Sequence, residues 1–157
     1  MSRVLFFGCP NAYGHTNPTL GLIKELIRQG EHVYYYATDQ FKAAIKKTGA
    51  IFLPYRHVPA PHEAFSETES AIDPFDRLVY SRLMQIRKTH KYHQMLTHEL
   101  RNFAVDYIIY DESAAWGKAI AKDRQLPSIC SITKFAYDDA LLHRYSKIFL
   151  QDILNFP

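Results

Sequence analysis

Apolar and polar positions fall in blocks along this chain, switching between short continuous apolar runs and a helical period. Residues 4–7 (VLFF) are an unbroken apolar run, the pattern of a strand buried on both faces. A loop follows, and Asn17-Pro18 then predicts a helix start, since asparagine caps well and proline is preorganised for the first helical position. Leu20, Ile23 and Ile27, with Leu22 and Leu26 beside them, give this helix a wide apolar stripe. Gly30 ends it where a left-handed residue is wanted.

Residues 32–37 (HVYYYA) read as a second strand. Thr38 or Asp39 is expected to cap a short helix that buries Phe41, Ala44 and Ile45 and closes at Gly49. Residues 50–55 make a third strand stopped by Pro54. Residues 56–74 carry Pro59, Pro61 and Pro74 without a period and predict loop. Asp73-Pro74 starts a long helix with Val79, Leu83, Ile86, Leu96 and Leu100 on one side. Residues 105–110 read as a fourth strand, Ser113 as the cap of another helix, residues 127–132 as a fifth strand and residues 140–155 as a last helix. Strands separated by helices imply a parallel sheet with right-handed crossovers. The expected class is α/β: one Rossmann-like, doubly wound domain over residues 1–157, with strand order 3-2-1-4-5.

A chain of 157 residues suits one domain that hides about 70% of its unfolded surface, and 47% hydrophobic residues supply the core without disulfides. Cys9 and Cys130 are therefore expected as buried thiols in a reducing cytosol. No run approaches the ~18 apolar residues of a membrane span, and the amino terminus lacks a signal-peptide pattern. The expected location is cytoplasmic, with no transmembrane segment. The formal charge of +3 is mild. Its one concentration, six Lys/Arg against two acids over residues 75–103, reads as a solvated helix face. No binding motif accompanies it that would argue for nucleic acid.

In a doubly wound sheet, ligands bind at the carboxyl ends of the strands, so the loops after Phe7, Ala37, Tyr110 and Ile132 are the ones to inspect. The first loop is neither a dinucleotide fingerprint nor a phosphate loop, because Gly8 and Gly14 are its only glycines. Asp39 sits where a ribose-binding acid would, but without the glycine pattern N-capping suits it better. The first loop does supply His15, held above the sheet beside Gly14. A neutral imidazole there can accept a proton. Asp111 ends the fourth strand, which neighbours the first in the expected order. A carboxylate on one imidazole nitrogen fixes the tautomer and leaves the other as a general base. Packing over the loop is the plain alternative for His15, and capping the next helix is the plain alternative for Asp111. His90 and His93 lie three apart on the long helix with no third ligand at a sensible spacing, and two histidines covering a helix face is the simpler reading. Neither a serine elbow nor an activated cysteine is present.

Residues 4–55, with Gly14, His15, Asn17 and Pro18 in a Gly-His-x-Asn-Pro pattern after a buried strand, resemble the opening of the macrolide-type glycosyltransferases of the UDP-glycosyltransferase superfamily. Residues 105–136 are similar to that family's fourth strand, acidic residue and fifth strand. The resemblance implies a GT-B architecture, two Rossmann-like domains facing across a cleft, with no metal, no cofactor and a UDP-sugar as donor substrate. It implies inversion at the anomeric carbon. His15 would deprotonate the acceptor hydroxyl and Asp111 would orient His15. Tyr13, Gly14, Phe65, Phe75, Tyr80 and Phe135 would line the site of a hydrophobic small-molecule acceptor. The family's nucleotide-sugar site lies mostly in a carboxyl-terminal domain with a histidine- and glycine-rich motif, and residues 1–157 hold no such motif. The chain is therefore expected to be the acceptor half alone, inactive by itself: a truncated gene product, an excised piece or one subunit of a split enzyme. The competing reading is a stand-alone small-molecule-binding module with the fold and no catalysis.

Overall fold

The computed structural model describes residues 1–56 and 74–133, with side chains at 1–56 and 83–133. In chain order the elements are β1 (Arg3–Phe7), α1 (Tyr13–Arg28), β2 (His32–Ala37), a 3-10 turn (Asp39–Phe41), α2 (Lys42–Lys46), β3 (Ile51–Pro54), α3 (Pro74–Glu99), β4 (Tyr107–Asp111), α4 (Trp116–Asp123) and β5 (Ser128–Ser131). The five strands form one parallel sheet in the order β3-β2-β1-β4-β5, as the alternation of elements predicts.

The run at residues 4–7 is apolar throughout because β1 is central and covered on both faces, its side chains pointing alternately to each. Val4 and Phe6 pack with Ile23, Val33, Tyr35, Phe41 and Ile45 under α1 and α2. Leu5 and Phe7 pack with Tyr36, Tyr92, Leu96, Trp116 and Ile120 under α3 and α4. Val4, Leu5, Phe6 and Phe7 are all fully buried, while Arg3 at the start of the strand is exposed. Gly30 and Gly49 follow α1 and α2 at φ +91° and +94°, the left-handed conformation that favours glycine after a helix.

Several expectations need correction. The first helix begins at Tyr13, so Asn17 is not its cap and Pro18 lies inside it. The Ala12 carbonyl accepts from the His15 and Thr16 amides and closes the first turn early. Pro18 cannot donate to the Gly14 carbonyl, but Gly14 is exposed, so solvent can take that place. Neither Thr38 nor Asp39 caps through its side chain; the Thr38 hydroxyl instead donates to the Pro10 carbonyl. Ser113 is not the cap of α4, which starts after Ala115.

On α3 the buried stripe is Tyr92, Leu96 and, just past the helix, Leu100, whereas Leu83 and Ile86 are exposed. At 3.6 residues per turn, Leu83 lies about half a turn away from Tyr92. Val79 lies outside the described side chains, and residues 140–155 lie outside the described residues. The thiols are free, as expected, but neither is buried. Cys9 is half-buried in the loop after β1, and Cys130 is exposed on β5, which among the described residues pairs only with β4. No helix among the described residues is long and apolar enough to cross a membrane.

Candidate active site

The chemistry-bearing side chains meet at the carboxyl edge of the sheet. β1 and β4 run in register with Phe7 opposite Tyr110, and β4 and β5 with Asp111 opposite Ser131. Asp111 thus emerges between the ends of β1 and β5. His15, in the first turn of α1, reaches across the end of β1 to meet it. The imidazole Nδ1 lies 3.0 Å from both carboxylate oxygens of Asp111. The Asp111 side chain is 1% exposed and that of His15 is 15%.

A buried carboxylate needs donors. Asp111 has the Ser113 amide at 2.9 Å and the Ser113 hydroxyl at 2.5 Å, both on Oδ1. Asp111 therefore shapes the loop before α4 and faces His15 at once, but it does not cap that helix, whose N-cap is Ala115 with no side-chain cap. The carboxylate can only accept, so Nδ1 carries the proton in this contact. Thr133 Oγ1 stands 3.0 Å from the same Nδ1. Nε2 takes part in none of these contacts and keeps its lone pair free in the neutral ring.

The floor of the site is aromatic. The Tyr55 hydroxyl donates to the Gly8 carbonyl at 2.9 Å, and the Tyr35 hydroxyl is 2.9 Å from Thr19 Oγ1. Burial pushes the Tyr35 and Tyr55 hydroxyls well above the usual phenol range. A Cβ on Gly8 would sit 2.6 Å from the Tyr35 ring. The glycine lets the chain pass over Tyr35 and bring Cys9 to the dyad. One ligand atom each from Cys9, His15 and Asp111 lies within 4.8 Å of the others.

Of the other sequence-predicted site residues, Tyr13 opens α1, largely exposed, with its ring edge-on to Phe41 at 4.8 Å. Gly14 follows it, and a Cβ there would meet nothing within 4 Å. Phe75 and Tyr80 belong to α3 but lie outside the described side chains, and Phe65 and Phe135 lie outside the described residues. Asp39 is exposed on its 3-10 turn. His93 Nε2 bonds Asp123 Oδ2 at 2.6 Å and ties α3 to α4, while His90 is exposed. Beside that tie, Ile86, Thr89, His90, Ala115 and Ala119 line an open groove of about 510 Å³. Neither His15 nor Asp111 lines this groove.

Sequence reasoning missed Thr133 and gave Cys9 and Ser113 other jobs. Thr133 sits two residues past the end of β5, beside the strand that carries Asp111. The strand-end rule that singles out the loop after Ile132 is the signal that finds it.

No protein-family model matches the chain. It is 30% identical over 158 residues to an uncharacterized UDP-glucosyltransferase, YojK, of Bacillus subtilis, covering 97% of this chain and 38% of that relative. It is 28% identical to the NDP-glycosyltransferase YjiC of Bacillus licheniformis, covering 90% of this chain and 35% of that one. Among solved structures, the calicheamicin glycosyltransferase CalG4 superposes with a TM-score of 0.72 at 21% identity, over 99% of this chain and 42% of that chain. The kitacinnamycin glycosyltransferase gives 0.71 at 20% identity, over 96% and 35%. The chain therefore spans well under half the length of these relatives. Sequence and fold agree: this chain is similar in sequence to a UDP-glucosyltransferase and an NDP-glycosyltransferase and shares its fold with solved glycosyltransferases, and its partial coverage of them fits an amino-terminal domain.

Proposed function

We propose that residues 1–157 form the acceptor-binding half of an inverting, cytoplasmic, UDP-sugar-dependent glycosyltransferase that O-glycosylates a hydrophobic, macrolide- or phenol-like small molecule. The observation that carries this reading is the pairing of His15 Nδ1 with the buried Asp111 at 3.0 Å, which leaves Nε2 as the proton acceptor. The acceptor hydroxyl gives its proton to Nε2 as its oxygen bonds to the anomeric carbon. The sugar–phosphate bond breaks on the opposite side and the nucleoside diphosphate leaves with that electron pair. Asp111 holds the ring in the productive tautomer and balances the imidazolium that forms. The reaction as written needs no metal and no cofactor. The donor would be held by a carboxyl-terminal domain, and residues 1–157 alone are expected to transfer no sugar.

The test is turnover of His15→Ala and Asp111→Asn in an enzyme that includes the donor-binding domain. Proton removal by a positioned base is worth about 10²–10⁴-fold, and His15→Ala should lose that much while acceptor affinity changes only a few-fold. Asp111→Asn should lose less. Acidic phenols, already partly ionised, should be less affected than aliphatic alcohols. Near-normal turnover of an aliphatic alcohol by His15→Ala would place the base elsewhere.

A further inference from the structure

The loop after β1 brings a thiol to the dyad, and the reaction proposed above has no use for it. Cys9 is half-buried, and its sulfur, an imidazole nitrogen of His15 and a carboxylate oxygen of Asp111 lie within 4.8 Å of one another. We propose that Cys9, His15 and Asp111 form a binding site for a thiophilic divalent cation of the zinc type, and that the bound ion silences the histidine.

The donor set points to the metal. One thiolate, one imidazole and one carboxylate suit a borderline-soft ion and suit magnesium or calcium poorly. Three protein ligands leave a fourth position for water or for Thr133 Oγ1, which stands 3.0 Å from Nδ1. In a tetrahedral zinc shell, ligand atoms lie about 3.3–3.6 Å apart, given bond lengths of about 2.0–2.3 Å. The 3.0 Å between Nδ1 and the carboxylate is already close to that spacing, and Cys9 has to close by about 1.5 Å at most. Rotation of a half-buried side chain provides such a shift. Asp111 is held for the task by the Ser113 amide and hydroxyl, the hydrogen-bonded support that metal-binding carboxylates commonly have.

The protons balance as follows. The Cys9 S–H bond breaks, its proton goes to solvent, and the sulfur electron pair binds the ion. Nδ1 gives up the proton it shared with Asp111 and binds the ion with its lone pair. The neutral ring regains a proton on Nε2 through solvent. Net release is one proton per ion. Nε2 then carries hydrogen and has no lone pair for an acceptor hydroxyl. This last step rests on the proposed role of His15; the binding site itself does not.

Cobalt(II) titration of residues 1–157 tests the site without any turnover. The expected result is one ion per chain, a thiolate-to-cobalt charge-transfer absorption in the near ultraviolet, and displacement by zinc. Cys9→Ser should abolish that absorption and weaken binding at least about tenfold, since even hydrogen-bonding partners of metal ligands are worth about 10–100-fold. Cys130→Ser and His93→Gln, which remove the other thiol and the His93–Asp123 pair, should leave it intact. No such band in the wild-type chain, a band that survives Cys9→Ser, or one lost in Cys130→Ser would overturn the proposal. In an enzyme with its donor domain, zinc should lower turnover, a chelator should restore it, and Cys9→Ser should need at least about tenfold more zinc for the same effect. Full activity of His15→Ala would sink the base alone and leave the cobalt band standing. A missing band would sink the metal site alone.

Discussion

Gly117 rests so close to Tyr110 that a Cβ on it would fall 2.5 Å from the tyrosine Cβ, and 2.9 Å from Cδ2 of Phe7. The first turn of α4 thus lies directly on β4 and β1, which sets the height of the 111–115 loop above the sheet. Gly117→Ala should destabilise the domain by about 1–3 kcal/mol through overpacking. The measurement is the urea midpoint at unchanged slope. An unshifted midpoint would mean that α4 does not sit this close.

Tyr55 connects the third strand to the loop that carries Cys9. Tyr55→Phe keeps the ring contact with Tyr36 and removes the hydroxyl that donates to the Gly8 carbonyl. A loss of about 1 kcal/mol is expected. Gly8→Ala should be worse, because Tyr35 is buried, stacked on Phe6 at 4.5 Å and has little room to yield. Equal stability of the two variants would contradict this packing.

The contact of His15 with Asp111 dictates a tautomer. In the neutral ring, nitrogen NMR should place the hydrogen on Nδ1 and leave Nε2 bare. Asp111→Ala should release that preference and destabilise the fold by about 1–3 kcal/mol, because it strands the Ser113 amide and the imidazole N–H. A bare Nδ1 in the wild-type chain would exclude the base geometry.

Alkaline stability follows from the tyrosines. Burial raises Tyr35, Tyr36, Tyr55 and Tyr92 above the ordinary phenol value of about 10. The folded state therefore binds more protons than the unfolded state above that pH. The stability contributed by keeping these groups neutral is complete below about pH 10 and is lost as pH climbs toward the folded-state values. Tyrosinate absorbance of these four should appear together with loss of helical circular dichroism. Ionisation of all the tyrosines in a still-folded chain would refute it.

The sheet was legible because β1 is central: a run apolar at every position has only one place in such a fold. The strand-end rule then pointed to the loops that hold His15 and Asp111. The start of α1 was misread because asparagine followed by proline is a strong local signal, here overridden by the Ala12 carbonyl closing a turn five residues earlier. Leu83 and Ile86 were misplaced because a 26-residue helix need not face the core along its whole length, and hydropathy does not say which end does. The apolar neighbours of Cys9 predict a core thiol, whereas the residue is half-buried. Its approach to His15 depends on contacts 6 and 102 residues apart in sequence, which no local pattern encodes.

Trp116 is the only tryptophan in the sequence, and it is wholly buried, stacked on Tyr92 at 4.3 Å and edge-on to Tyr55 at 5.9 Å. It also begins the helix that follows the Asp111 loop. The molecule therefore contains its own optical gauge. Ultraviolet light absorbed by the surrounding tyrosines will be handed to a single emitter, and its colour and brightness will record, without any label, whether helices α3 and α4 keep their seat on the sheet.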